Sequence, residues 1–431
     1  MTSLHRLLCR ALGALVSACA AVASGAAVAT TGDAAAEFHA VATRGCAAIE
    51  ARVAAVSREG PVLLRSYEGT STQPLEPALT SAAFVYDNAL AIMALLSCDR
   101  VAPARRIGAA FVAAFDSTSG AAPRLRNVYR AGVVQRLPLP NGWWDAASQR
   151  WVEDAYQSGT ATGNVAWVAL SLLALDARDT GDARWRGTAE RLATWAIDNA
   201  RDTRGDGGYS GGVHGFDASP QRLGWKSTEH NIDLVALFDQ LVTLKDETRW
   251  RVARDHARRF VDAQWDARTG HFVTGTLPDG ITPNRDTSGL DAQLWPLLLR
   301  DAPQEWRRAL AFAEREHGVD GGFDFNADRD GLWVEGTAQG ALVYRVVGRI
   351  ADARTMLASV AREVSAGGLL QATREPRITT GLAVGPDSTS ADFHYFRRPH
   401  LGATAWGVLA ATGANPFTMN APLSTRTKAS P

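Results

Sequence analysis

The 431-residue chain has few cysteines, no excess charge of either sign and no metal or nucleotide signature, and each absence narrows what it can be. Lysine plus arginine and aspartate plus glutamate number 45 each. Without a basic excess there is no electrostatic footprint for nucleic acid or for an anionic membrane surface. No CxxC pair and no HExxH helix occurs, so a zinc-site pattern is missing. There is no P-loop and no dinucleotide fingerprint, and serine-nucleophile chemistry is not expected. Past residue 29 no run approaches the length and apolarity of a bilayer span. No break in composition marks a second domain.

What is present begins with an export signal over residues 1–29. His5, Arg6 and Arg10 precede an Ala-rich apolar stretch, and Ala27 and Ala29 form an A-x-A-like cleavage site. The residues before Cys19 also fit a lipid-anchored variant, so the chain is expected to be exported, periplasmic or extracellular. Losing Arg6 and Arg10 leaves 43 basic residues against 45 acidic ones. Cys46 and Cys98 then remain as the only pair, either a disulfide between the first two helices or two buried thiols.

Six segments share one grammar: a Thr, Ser or Gly near the start, an acid or amide soon after in most, then an apolar run of helical period. They are Thr80–Leu96, Gly159–Leu175, Lys226–Leu241, Thr287–Leu299, Val334–Val347 and His400–Thr412. Each follows a more polar amphipathic segment, namely Ala36–Val56, Pro103–Phe115, Ala183–Asn199, Glu247–Gln264, Pro303–Glu316 and Ala351–Val364. Outer-type then inner-type, six times, describes an all-α ring of helical hairpins over residues 30–414. Residues 415–431 read as a polar tail without structure. Short strand-like runs at Asn127–Leu139, His271–Thr276 and Ile378–Val384 read as hairpins decorating the ring. The long loops all run from an outer helix to the next inner one, which places them on one functional face.

Carboxylates concentrate where the inner helices begin: Asp87, Glu229, Asp233, Asp291 and Glu335. Glu229 and Asp233 stand four residues apart and share a helix face, so repulsion and burial can raise one pKa and create a general acid. The plainer account is capping by Ser227 or Thr228, with acids favoured at a helix N-terminus. Asp87 lies inside an apolar helix, so it either faces a cleft or meets a buried Arg. Glu335 follows an acidic, aromatic loop and is the expected partner of Glu229 or Asp87. Its plainer account is a first-turn acid satisfying backbone N–H groups. Thirteen tryptophans are many, and Trp143, Trp144, Trp225 and Trp333 fall in long loops, where aromatic rings stack on sugars. His230, His394 and Tyr395 are candidates for proton transfer or substrate binding, although a hydrogen-bonded loop histidine is the commoner case. The run DGGFDFNADRDG resembles a calcium loop with ligands Asp324, Asn326 and Asp328, but lacks the Glu that closes an EF-hand. A surface turn is preferred there, and no cofactor is expected.

The twelve-helix alternation, the acidic inner-helix starts (YDNAL, STEHNID, SGLD, WVEGTAQ) and the aromatic Gly-rich loops (NGWWD, GDGGYSGGVHGFD, DGGFDFNADRDGLWVEG) together resemble the six-hairpin, (α/α)6-toroid glycosidases with their related polysaccharide lyases and sugar epimerases. The resemblance spans nearly the whole chain after residue 29 and points to no numbered family. It implies a carbohydrate cleft at the N-terminal ends of the inner helices, with Glu229, Asp87 and Glu335 catalytic, and Asp233, Asp291 and the aromatic and histidine candidates binding substrate. Glycoside hydrolysis with inversion is the leading expectation. A lyase or epimerase is the alternative, and a non-catalytic glycan-binding envelope protein the second. The last would pair the five acids with Arg.

Overall fold

A computed structural model describes residues 31–419 except 71, 118–123, 138 and 387, with side chains from residue 38 onward. The expected export signal, residues 1–29, and the last twelve residues lie outside the described residues. Twelve helices alternate as the sequence pattern predicts. The outer ones are α1 (Thr31–Val56), α3 (Val101–Asp116), α6 (Arg184–Ala200), α8 (Thr248–Ala263), α10 (Arg308–Glu316) and α12 (Ile350–Ala361). The inner ones are α2 (Val85–Ser97), α5 (Thr162–Arg178), α7 (Thr228–Lys245), α9 (Leu290–Leu294), α11 (Val334–Val346) and α13 (Leu401–Thr412). A single turn, α4 (Ala155–Ser158), sits in the loop before α5. The fourth inner helix is cut short because Pro296 has no N–H to continue it, so Trp295–Leu298 tighten into a 3-10 turn.

Inner helices pack on their neighbours in the order α2, α5, α7, α9, α11, α13, and α13 packs back on α2. That contact closes the ring, giving an all-α (α/α)6 toroid. Closure makes α7 face α13, and α2 face α9, across the centre. The inner helices are buried nearly all round, as their unbroken apolar runs require. The centre is filled by Trp167, Trp295 and Trp406 from three inner helices, with ring centroids 5.2–6.0 Å apart.

Phe417 completes this plug, 5.4 Å from Trp167 and 2% exposed. Its carbonyl accepts from Gln240, and Asn415 donates to the Leu298 carbonyl. The tail expected to be polar and unstructured from Asn415 is therefore part of the core through residue 419, because one aromatic residue in it closes the ring's floor. Cys46 of α1 and Cys98 at the end of α2 form a disulfide. At a sequence separation of 52, the chain-entropy account gives about 4 kcal/mol. It ties the first outer helix, which has no preceding hairpin partner, to the ring.

Most strands are two- or three-residue antiparallel pairs in the long loops. Trp265–Asp266 pairs with His271–Phe272, Gly275–Thr276 with Pro283–Asn284, and Arg377–Thr379 with His394–Phe396. The Asn127–Leu139 segment is not a local hairpin. Its strands pair instead with Ala82–Phe84 and Val62–Leu63, which precede α2. Among the described residues no helix is long and apolar enough to cross a membrane.

Candidate active site

Five inner helices use their fourth residue in one way. Asn88, Asn231, Gln293, Thr337 and Thr404 each accept a backbone N–H from the loop arriving from the preceding outer helix: those of Leu64, Tyr209, Phe272, Phe323 and Leu370. The three amides also return an N–H to the same loop residue's carbonyl. In four of these loops a glycine with φ between 73° and 87° stands two residues before the clamped one, at Gly207, Gly270, Gly321 and Gly368. The Gly-aromatic motifs are thus docking turns. Tyr209 and Phe323 are buried by the clamp, so they do not offer faces to a sugar.

The second and third residues of the same first turns point elsewhere. Tyr86, Glu229, Asp291 and Glu335 are second residues, and Asp87 and His230 are third. On one side of the mouth stand Glu229, His230, Asp233 and Asp291. On the other stand Tyr86, Asp87, Glu335 and His400, the N-cap of α13.

The second side is hydrogen-bonded through. The Tyr86 hydroxyl donates to Glu335 Oε1 at 2.8 Å and accepts from Trp406 Nε1 at 2.9 Å. His400 Nδ1 accepts from the Ala403 N–H, which assigns the ring proton to Nε2, 3.3 Å from Asp87 Oδ2. Tyr67 stacks on His400 at 4.4 Å, and Tyr395 stands edge-on at 6.2 Å. Gly402 is required here, since a methyl group would lie 2.6 Å from Asp87 Oδ1 and 3.0 Å from Glu335 Oε2. Burial pulls the His400 pKa down, but Asp87 and Glu335 outweigh it and hold it above its ordinary value. Burial pushes Glu335 up to about 7, against the pull of His400 and Tyr86.

The first side has few partners. Burial lifts Glu229 to about 7, although part of its surface stays open at the mouth. Asp233 is held well above its ordinary value by burial and then by Glu229 and Asp291, and both its oxygens lack a hydrogen-bond partner. The Trp167 indole offsets part of that rise without forming a hydrogen bond. Asp291 is raised likewise, by burial and then by Glu229 and Glu335. Burial drives His230 down to about 4, so it is neutral, with Nδ1 unpartnered. Gly163 of α5 makes room for it, because a methyl group there would meet the His230 ring at 2.4 Å.

Among the described residues no Arg or Lys forms an ion pair with any of the five acids; their one basic partner is His400. The buried Arg weighed for Asp87 is thus this histidine. Ser227 is the N-cap of α7, accepting from His230 N, so capping and a cluster of acids coexist in one turn.

Other expectations need correction. Trp333 is 1% exposed, packed between Phe325 and Tyr395, and is no stacking platform. His394 and Tyr395 are strand neighbours and so face opposite ways. Tyr395 reaches the His400 cluster, whereas His394 lies over Phe396. Trp144 is exposed and edge-on to Trp151 in the Trp143–Val152 hairpin, while Trp225 lies 5.6 Å from His230. One serine-nucleophile spacing does occur, Gly208–Gly212, but Ser210 is fully buried in the loop between α6 and the Gly212–His214 strand, with a strand rather than a helix following it. Tyr67 was not anticipated, because the irregular stretch that carries it has no periodicity to mark it.

No protein-family model matches the chain, and no curated protein does. Solved structures match over most of its length. A glycosidase variant in complex with glucose aligns with TM-score 0.57 at 14% identity, covering 91% of this chain and 99% of that one. A GH76 α-mannanase from Bacteroides thetaiotaomicron aligns with TM-score 0.55 at 9% identity, covering 88% and 98%. A cellobiose 2-epimerase from Spirochaeta thermophila aligns with TM-score 0.53 at 14% identity, covering 81% and 90%. These likenesses bear out the (α/α)6 toroid.

Proposed function

We propose that the protein is a carbohydrate-active enzyme, most simply a glycoside hydrolase that acts on a neutral oligo- or polysaccharide. The observation that carries this reading is a pair of carboxyl groups, Glu229 and Glu335, on non-adjacent inner helices, each held near pH 7 and with no basic residue but His400 beside them. Glu229 is the general acid: its proton passes to the leaving glycosidic oxygen. Asp87 and Glu335, which share His400, form the opposite side, where the attacking water gives up its proton as its oxygen bonds the anomeric carbon. Inversion, with the attacking water between the two sides, is the outcome that the resemblance to (α/α)6-toroid hydrolases favours. Asp291, with an unpartnered oxygen and a sliver of open surface, suits a sugar hydroxyl, whereas Asp233 is enclosed behind Glu229 and out of a sugar's reach.

The lack of Arg or Lys at the five acids tells against a uronate substrate, and so against a lyase. It also removes the Arg pairing expected of a non-catalytic binding protein. The disulfide accords with export to an oxidising compartment. One observation favours epimerisation as a second reading: His230 and His400 sit on opposed helices, one neutral and one charge-stabilised, as two-faced proton transfer requires.

Reducing-end release from neutral and acidic glycans, comparing the parent with Glu229→Gln, tests the proposal. Release from neutral glycans alone, lost in the variant, is expected. Release unchanged in Glu229→Gln removes the assignment. Deuterium uptake from heavy water without cleavage selects the epimerase.

A further inference from the structure

The loop from α10 to α11 holds a second group of acids, unused by the chemistry above. Carboxylate oxygens of Asp324, Asp328 and Asp330 lie within 4.8 Å of one another. Asp324 is fully buried, and its Oδ2 accepts from no donor; the side chain near enough to share a proton with it is Asp328, itself a carboxylate. Asp324 Oδ1 accepts only from the N–H of Phe325, at 2.7 Å. The remaining acceptors are fixed from outside: the Thr379 hydroxyl donates to Asp328 Oδ2 at 2.5 Å, and Thr379 N–H donates to Asp330 Oδ2 at 2.9 Å. The cation nearest in sequence, Arg329, turns away, donating to the Glu316 and Arg315 carbonyls. Three carboxylates thus converge, one of them desolvated, among backbone, hydroxyl and amide donors. Arg377 favours the charged form of Asp330 from a distance, but among the described residues no Arg or Lys is ion-paired with any of the three.

We propose that Asp324, Asp328 and Asp330 bind one calcium ion through their carboxylate oxygens. Only oxygen ligands are on offer, which selects a hard cation. Oxygens that all lie within 4.8 Å of one another can share one ion, and calcium accepts an irregular set of oxygen ligands where magnesium demands a near-ideal octahedron. Asn326, which the sequence pattern offered as a ligand, is not one. Its carbonyl oxygen accepts from Asp328 N–H and its amide donates to Asp328 Oδ2, so it shapes the turn while Asp330 takes its place. The ion would fix the loop leading into α11, and with it Asp328 and Asp330, which Thr379 of the Arg377–Thr379 strand holds by two hydrogen bonds. That strand pairs with the one carrying Tyr395, so the same link steadies Glu335 and Tyr395 at the mouth.

The test is calorimetric titration of chelator-stripped protein with calcium chloride, alongside thermal melting with calcium or magnesium. A one-site isotherm is expected, with Kd between about 10 µM and about 1 mM, and a rise in Tm of a few degrees at saturation. Asp330→Asn, at an exposed ligand where folding is not at risk, should weaken binding about tenfold or more. No heat and no Tm shift up to about 10 mM calcium, well beyond the weakest extracellular sites, overturns the proposal. So does an equal response to magnesium that Asp330→Asn leaves intact. If Asp324→Asn raises Tm and calcium has no effect on the parent, a proton shared with Asp328 holds the cluster instead.

Discussion

The two sides of the mouth are built from the same residue types and behave differently. Around α7 and α9, three carboxyls and a neutral histidine are buried almost without partners, and every carboxyl is pushed towards its protonated form. Around α2, α11 and α13, two carboxyls are threaded on Tyr86 and His400 with hydrogen bonds of 2.8–3.3 Å. Burial lifts Glu229 and Glu335 alike to about 7, so what separates them is the partner: Glu335 has Tyr86 and His400 beside it to stabilise its charge, and Glu229 has neither. Acid and base are distinguished by the neighbours each carboxyl is given.

Removing the donor is the harshest way to break this contrast. Glu229→Gln keeps the shape and deletes the proton, and should lower kcat by about 10²- to 10⁴-fold in reducing-sugar assays. In the parent, kcat/KM should fall as pH rises through about 7, where Glu229 loses its proton. A profile flat to well above neutrality would move the acid role elsewhere.

A clamp should cost stability without distinguishing the sides. Asn231 makes two hydrogen bonds to Tyr209 and one to the Ser227 carbonyl, all buried or nearly so. Asn231→Ala strands both Tyr209 backbone groups and should lower the unfolding free energy by about 2–4 kcal/mol, read from urea midpoints. Asn88→Ala, on the other side of the mouth, should behave alike. A large difference between the two would mean that the clamps are not equivalent.

That distinction marks where sequence reading stops. The ring was legible because twelve amphipathic or apolar runs carry a 3.6-residue period, and the helix ends follow the predicted ones within a few residues. The exceptions have local causes: Pro296 shortens the fourth inner helix, and Phe417 recruits the tail. The acid–amide grammar was visible, but its division of labour was not. Residues two, three and four of a first turn lie about 100° apart, so whether Glu229 or Asn231 faces the mouth depends on the rotation of α7 within the ring. The same limit misplaced Trp333: a tryptophan beside glycines reads alike whether it covers a loop from below or faces a ligand. Tyr67 and the Asp330 ligand come together only through contacts distant in sequence or folded by an irregular turn.

On the partnered side, His400→Asn removes the group shared by Asp87 and Glu335 while keeping a cap on α13. A charge-assisted hydrogen bond is worth about 1.5–3 kcal/mol, so the expected loss in kcat/KM is about 10- to 100-fold. The alkaline limb set by Glu229 should stay in place. A shift of that limb would show that the two sides titrate as one unit.

The smallest effect sharpens the contrast most. Asp233, Asp291 and Glu229 are each held above their ordinary values, so between those values and the raised ones the native state binds more protons than the unfolded chain. Their contribution is favourable at low pH and is lost as pH rises through that window, which for Glu229 runs from 4.5 to about 7. Asp233→Asn removes the most enclosed of these charges with almost no change in volume. Its Tm should match the parent near about pH 5 and exceed it near about pH 8, by the equivalent of about 1 kcal/mol or more. A gain that grows with pH means the parent gives up stability to keep carboxyls crowded at the mouth, as a site selected for chemistry would. A Tm below the parent at both pH values means that Asp233 has a partner in solution, and the unpartnered side of the comparison would lose its central member.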